Sequence, residues 1–286
     1  MTYTYAVDVE RELLESYRTD ADPFLTDDSR TFPERAHLRA EIDLLKKLFF
    51  PRYWNGGAID DPDAVRDRLE SLGSIFATGI AAYSAADAGD TVDAALEDLP
   101  IIRQRLKRDV EAAYKGDPAA KSYTEIIRSY PGFHAMLVYR VAHSLYDRGA
   151  PEYARELTEH AKTMTGIDIH PGAQIGEYFF IDHGTGVVIG ETATVGDWTR
   201  IYQNVTLGAL HFEEEEDEEH MLAKDYKRHP DIGSNVVIGA GSNVLGPVTV
   251  GDHVSIGANS WITDDVPPRT SVFIADHPEH KRKPKE

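Results

Sequence analysis

The stretch 232–262, IGSNVVIGAGSNVLGPVTVGDHVSIGANSWI, repeats an aliphatic residue at every sixth position: Ile232, Ile238, Val244, Val250, Ile256 and Ile262. Neither a helix nor a half-buried strand has that period, and antiparallel hairpins would alternate with period two. A six-residue phase instead implies short strands turned by tight corners into a coil, three hexads to each triangular turn. Upstream, Ile169, Ile175, Ile181 and Val187 form one earlier series, and Ile189, Val195, Ile201 and Leu207 another. The two are separated by a slip of two residues at Val187-Val188-Ile189. Gly follows many of these positions, as at Ile175-Gly176, Ile238-Gly239 and Val250-Gly251, which suits corners that need a permissive backbone. The expected fold is a left-handed parallel β-helix, whose hand departs from the right-handed rule for parallel crossovers.

Residues 1–165 carry a different pattern. Between Glu34 and Phe49, Leu38, Ile42, Leu45 and Leu48 share one face, the signature of an amphipathic helix that Pro51 stops. Further helices are expected over Asp61 to Leu72, Ile75 to Ala88, Thr91 to Tyr114, Thr124 to Ser129, Phe133 to Asp147 and Pro151 to Thr163. The predicted class is therefore α+β, with an all-helical domain (1–165), a β-helix of hexapeptide repeats (166–268) and a short tail (269–286) rich in Lys and Arg. An open end of a repeat array exposes backbone and apolar faces, so the helical domain is expected to cover the first coil.

Residues 208–231 leave the hexad phase as a projecting loop. Glu213 to Glu219 are seven consecutive acids, read as a solvated flexible segment, whereas Lys227-Arg228-His229-Pro230 is cationic and suited to ligand contacts.

The formal charge of −19 argues against a nucleic-acid partner. No run of about 18 apolar residues is present and the N-terminus lacks a signal-peptide layout, so a cytoplasmic protein without membrane contact is expected. With no Cys, a thiol nucleophile and thiolate metal sites are ruled out. Asp182-His183 falls at the phase slip, directly after inward Ile181, so the imidazole can face outward. Asp168, beside inward Ile169, lies on the adjacent coil. A His with a carboxylate on one ring nitrogen has the other free to accept a proton, which is a general-base arrangement.

Several motifs occur in order: Gly116-Asp117-Pro118-Ala119, Gly132-Phe133-His134-Ala135, Asp168-Ile169-His170-Pro171, Asp182-His183-Gly184-Thr185-Gly186, Gly190-Glu191-Thr192-Ala193, Gln203-Asn204-Val205-Thr206-Leu207-Gly208 and Arg228-His229-Pro230. On these the chain resembles the serine O-acetyltransferases, hexapeptide-repeat enzymes of cysteine biosynthesis. The resemblance implies acetyl transfer from acetyl-CoA to L-serine in a ternary complex, with acetyl-CoA as co-substrate and no metal. It makes His183 the base and Asp168 its orienting partner, gives Asp117 and Asp182 the substrate ammonium, and gives Arg228 and His229 the carboxylate or oxyanion. Coenzyme contacts fall at Gly208, Ala240, Gly241 and Ala258. It also implies homotrimers or dimers of trimers with sites shared by two subunits, and feedback inhibition by L-cysteine. Because this sequence ends in Glu286 rather than Ile, no stable cysteine synthase complex is expected. The alternatives are a hexapeptide acyltransferase acting on O-phosphoserine, homoserine or a sugar, and a metal enzyme like the γ-carbonic anhydrases, for which His170, His183, His211 and His229 would be the ligands.

Overall fold

The computed structural model describes residues 7–19, 31–54, 61–84, 87–215 and 220–275. Much of the tail, including Lys281, Arg282, Lys283 and Lys285, lies outside them, as do Glu216 to Glu219 of the acidic run.

Among the described residues seven helices come first: α1 (Val7–Thr19), α2 (Arg35–Phe49), α3 (Pro62–Ala81), α4 (Gly89–Gly116), α5 (Tyr123–Ser129), α6 (Pro131–Asp147) and α7 (Pro151–Thr165), with a 3-10 turn at Pro51–Tyr53. Helix α1 has no counterpart among the sequence expectations. Expected helices on either side of Gly73 are one helix, α3, because Gly73 sits in its interior as a packing site. Gly73 faces Leu96 and Val92 of α4, where a Cβ would meet only ordinary van der Waals contact at 3.4 and 3.5 Å, so the position is an ordinary packed site of a continuous helix. The interior glycine costs about 1 kcal/mol of helix propensity, too little to break the helix against that packing.

Fourteen short strands among the described residues follow and wind into a prism with three parallel faces. Face 1 holds β1 (Asp168–Ile169), β4 (Val188–Ile189), β7 (Thr206–Gly208), β10 (Asn243–Leu245) and β13 (Trp261–Ile262). Face 2 holds β2 (Gln174–Ile175), β5 (Thr194–Val195), β8 (Asp231–Ile232) and β11 (Thr249–Val250). Face 3 holds β3 (Phe180–Ile181), β6 (Arg200–Ile201), β9 (Val237–Ile238), β12 (Ser255–Ile256) and β14 (Ser271–Val272). The hexad aliphatics stack inward in register, as in Ile169↔Ile189↔Leu207↔Val244↔Ile262, and every member of the three series is buried. Each such side chain contributes roughly 1.5–3 kcal/mol. The fold is the expected left-handed β-helix.

The helical domain closes the first coil. Arg140 of α6 and Asp109 of α4 form a bidentate pair at 2.6 and 2.9 Å with both side chains 3% exposed. The pair also satisfies the prism's end: Arg140 donates to the carbonyls of Ile175 and Gly176, and Asp109 accepts from the Phe179 N–H. Tyr139 Oη donates to the Ala173 carbonyl at 2.6 Å. Gly132 brings the start of α6 onto face 3, where a Cβ would lie 2.2 Å from the Ile181 carbonyl oxygen.

The projecting loop is a hairpin where it is described: Glu214 bridges Leu222 antiparallel, and the Glu215 N–H donates to the Met221 carbonyl. With the Ala223 N–H donating to the Glu213 carbonyl, three of the seven acids expected in a flexible segment, Glu213 to Glu215, are thus held by backbone pairing.

Removing one member of a fully buried ion pair leaves the other charge uncompensated, which typically costs about 3–5 kcal/mol. Arg140→Ala should lower unfolding stability by about that amount in urea titrations, while Arg140→Met combined with Asp109→Leu should lose much less.

Candidate active site

The coil from Ile169 to Ile189 is two residues longer than that from Ile189 to Leu207, and the surplus sits where face 3 turns into face 1. At this 3/1 corner His183 and Gly184 are both left-handed, with φ of 59° and 87°, and the Gly184 N–H closes back on the Asp182 carbonyl at 2.7 Å. A Cβ on Gly184 would lie 2.4 Å from Ile167 Cδ1, so the bulge needs glycine on both counts. The bulge lifts the His183 side chain clear of the prism, where it is 69% exposed. Its Nδ1 faces Asp182 Oδ1 at 3.7 Å, leaving Nε2 outermost.

The helical domain adds an acid to this corner. Asp117 caps the C-terminus of α4, whose last carbonyl, Gly116, accepts a hydrogen bond from Arg200 of face 3. Its carboxylate accepts from the Tyr130 hydroxyl and, at 2.7 Å, from the Ala119 N–H. These bonds, Tyr130 foremost and His183 nearby, hold the Asp117 carboxyl below the usual range. Half-burial and the Asp117 charge push Asp182 the other way, with His183 partly opposing. Two carboxylates so divided form a ready counter-charge for a cation.

Further up the same corner lie Ala240 and Gly241, between β9 and β10, and Ala258, between β12 and β13. Asn204 and Asn259 adopt left-handed φ there, and the small residues leave an open edge above His183.

Arg228 and His229 lie elsewhere, at the 1/2 corner, where the projecting loop returns. The Thr192 N–H donates to His229 Nδ1 at 3.1 Å, and Thr192 Oγ1 lies 2.8 Å from the same nitrogen. Because Oγ1 already accepts the N–H groups of Arg228 and His229, its proton points to Nδ1. The ring is thereby fixed as the Nε2–H tautomer. It lies on Gly190, where a Cβ would come within 2.1 Å of Nε2. Burial, reinforced by the neighbouring Arg228 charge, pushes His229 down to about 4. Arg228 is paired with Glu191, which also accepts from Tyr146 at 3.2 Å. Gly208 ends β7 at this corner.

The predicted site residues thus form two groups. Asp117, Asp182, His183, Ala240, Gly241 and Ala258 share the 3/1 corner, whereas Gly208, Arg228 and His229 share the 1/2 corner, a hexad-wide face of on the order of 15–20 Å away. Asp168, expected beside His183, is held in this chain by Lys162 at 2.8 Å and Arg155 at 3.3 Å. Sequence reasoning passed over Tyr130 and Thr192. Both adjoin quoted motifs, Tyr130 just before Pro131-Gly132-Phe133 and Thr192 inside Gly190-Glu191-Thr192, and adjacency was the available signal.

Comparisons with known proteins bear on the family and the fold. Residues 70–137 match the serine acetyltransferase N-terminal family, and residues 229–264 match the bacterial transferase hexapeptide (six repeats) family. A plasmid-encoded serine acetyltransferase of Synechococcus elongatus is 53% identical over 180 residues, covering 63% of this chain and 56% of the relative. The serine acetyltransferase of Staphylococcus aureus is 45% identical over 172 residues, covering 60% of this chain and 75% of the relative. Among solved structures, Entamoeba histolytica serine acetyltransferase isoform 3 in complex with cysteine superposes with a TM-score of 0.77 at 44% identity, covering 97% of this chain and 94% of that one. Neisseria gonorrhoeae serine acetyltransferase in complex with serine gives 0.58 at 29% identity, covering 82% and 97%.

A depressed His pKa favours the neutral form in the folded state. The stability this gives is present above about pH 6.5 and is lost as pH falls towards 4. We expect nitrogen-detected NMR to show His229 as the neutral Nε2–H tautomer throughout the neutral range, and Thr192→Val to weaken that preference without abolishing it, because the residue 192 backbone N–H still donates to Nδ1. From the helical domain, the hexapeptide coils, the sequence identities and the superpositions together, the chain belongs to the serine acetyltransferase family.

Proposed function

We propose that the protein transfers the acetyl group of acetyl-CoA to the hydroxyl of L-serine, giving O-acetylserine and CoA. The single observation that carries the mechanism is the bulged 3/1 corner, which presents His183 Nε2 outward with a carboxylate on the Nδ1 side and a second carboxylate, Asp117, alongside.

Serine is a zwitterion, so its site needs anions at one end and cations at the other. Asp117 and Asp182 take the ammonium; Arg228 and the fixed Nε2–H of His229 take the carboxylate or the developing oxyanion. His183 Nε2 removes the hydroxyl proton as the serine oxygen attacks the thioester carbonyl carbon. When the tetrahedral intermediate collapses, the C–S bond breaks and the imidazolium returns its proton to the leaving thiolate. The coenzyme's flexible arm lies along the small-residue edge above His183, at Ala240, Gly241 and Ala258, with Gly208 across the groove.

One copy keeps the anionic and cationic groups at opposite edges of face 1, too far apart for one amino acid. We therefore read the working site as composite, formed where the 3/1 corner of one prism meets the 1/2 corner of the next in a trimer, with pairing of trimers left to the helical domains. Cysteine, which replaces the serine oxygen by sulfur, fits the same charges and is the expected feedback inhibitor. The orienting role of Asp168 requires its carboxylate to exchange Lys162 and Arg155 for the imidazole. Asp168→Asn should then lower kcat more than tenfold with serine KM little changed, a range of about 1.4 kcal/mol or more. If the residue only ties α7 to the prism, stability falls instead and kcat holds.

The direct test is release of CoA from acetyl-CoA by the purified protein, with L-serine, O-phospho-L-serine, homoserine and a sugar acceptor in parallel. We expect release that depends on L-serine and falls by about 10²–10⁴-fold in His183→Ala. Release with another acceptor alone would move the substrate assignment, and silence with all four would overturn the reading. Tyr130→Phe should raise serine KM, since it removes the hydrogen bond that orients the Asp117 carboxylate.

A further inference from the structure

A cavity of about 400 Å³ opens between α4, α5, the residues after α2 and the first 2/3 corner of the prism. Its walls are aromatic, from Tyr53, Tyr123 and Tyr178, and its rim is cationic, from Arg103, Lys107 and Arg108. Among the described residues the carboxylate on it, Glu111, is engaged at 2.6 Å by Lys115. A second cavity of about 360 Å³ adjoins it, sharing Phe50, Tyr53 and Arg103 in its walls and adding Arg52 and Arg68. In a chain of formal charge −19, this concentration of positive charge in a concavity stands apart from the rest of the surface.

How Arg103 is held matters most. Its Nε donates to the Phe49 backbone carbonyl at 2.8 Å, so it is positioned by a neutral acceptor. Its charge is not offset by that contact, and its two terminal nitrogens are left to face the groove. Lys107, one turn further along α4, is exposed. Arg108 is paired with Glu177 across the same wall, which fixes the edge next to Tyr178. Tyr178 in turn is stacked on Trp198 with ring centroids 4.1 Å apart and planes 8° from parallel, making that wall rigid.

Pockets that take small organic ligands fall in this volume range and combine an aromatic lining with a few placed polar groups. Guanidinium is suited to phosphate by its planar, bidentate donors, and tyrosine faces stack on bases. We propose that the groove binds a nucleotide, with the base against the tyrosines and the phosphates on Arg103 and Lys107. The site is separate from the acetyl-transfer corners and does not rest on the reaction assigned to them.

The test is isothermal titration of the full chain with ADP, AMP and inorganic phosphate, on wild type, Arg103→Gln and Lys107→Glu. Acetyl transfer without nucleotide is measured alongside. The expected result is saturable ADP binding that is tighter than that of phosphate and weakened about tenfold or more by either substitution, the loss of a charge-assisted contact, while acetyl transfer and the acetyl-CoA KM stay unchanged. Lys107→Glu remains decisive if Arg103→Gln disturbs the α2 terminus, because Lys107 is exposed. Three results would overturn the proposal. These are no saturable binding at millimolar ADP, undiminished binding in Lys107→Glu, which would place the nucleotide at the coenzyme corner, and phosphate binding as tight as ADP, which would deny the aromatic walls a role.

Discussion

The buried pair between Arg140 and Asp109 joins the two halves of this molecule. Taking both charges out of water is costly, and the geometry offsets that cost only because the remaining donors and acceptors of the pair are used on the prism's open end. The pair therefore does three things at once: it locks α4 against α6, satisfies the backbone of the first 2/3 corner, and sets the height of α4 on face 3. Asp117 lies at the end of the same helix, so its reach toward Asp182 and His183 is fixed by a contact about two turns away. The Arg200 bond to the Gly116 carbonyl completes the alignment from the prism side.

The second constraint is topological. A triangular coil returns to each corner once per turn, so residues at like corners stack into edges and residues at unlike corners stay a face apart. His183 and the small residues Ala240, Gly241 and Ala258 share an edge that suits a long flexible arm running to a reacting centre. Arg228 and His229 are held at the other edge of the face by a network in which nearly every group is committed: Thr192 to the His229 ring and to two backbone N–H groups, Glu191 to Arg228 and Tyr146. Such networks place a neutral donor and a cation with little freedom, the preorganisation that transition-state stabilisation needs. The same rigidity prevents them from swinging across face 1, and for this reason the account needs a second copy of the chain.

Much of this was legible in the residues. The hexad period specified inward columns because every sixth side chain points at the prism axis, and each aliphatic it named is buried; the residue two before it, as at Ala173, Phe179, Ala193 and Val205, is buried as well. The slip at Val187-Val188-Ile189 located the bulge, since two surplus residues in a fixed-length coil have nowhere to go but outward. Asp117 was found only through the resemblance, because nothing in local spacing says where the end of a helix will lie against a distant coil. Asp168 shows the limit of reading by coil position: its place on β1 is as expected, but its charge partners come from α7, whose packing the period does not encode. Gly73 misled for a related reason. A glycine reads as a break in one dimension, but its cost of about 1 kcal/mol is small against the packing of the flanking turns, where Leu72 and Phe76 are fully buried.

The central claim, that one site is built from the 3/1 corner of one copy and the 1/2 corner of another, is tested most directly by subunit complementation. His183→Ala and His229→Ala chains, each of low activity alone, are unfolded, mixed and refolded together, and serine-dependent CoA release is measured. Random mixed trimers should recover activity approaching about one quarter of wild type, because that fraction of interfaces joins two intact corners. If verified mixed assemblies stay as inactive as the parents, both corners must act within one chain, and the composite site is wrong.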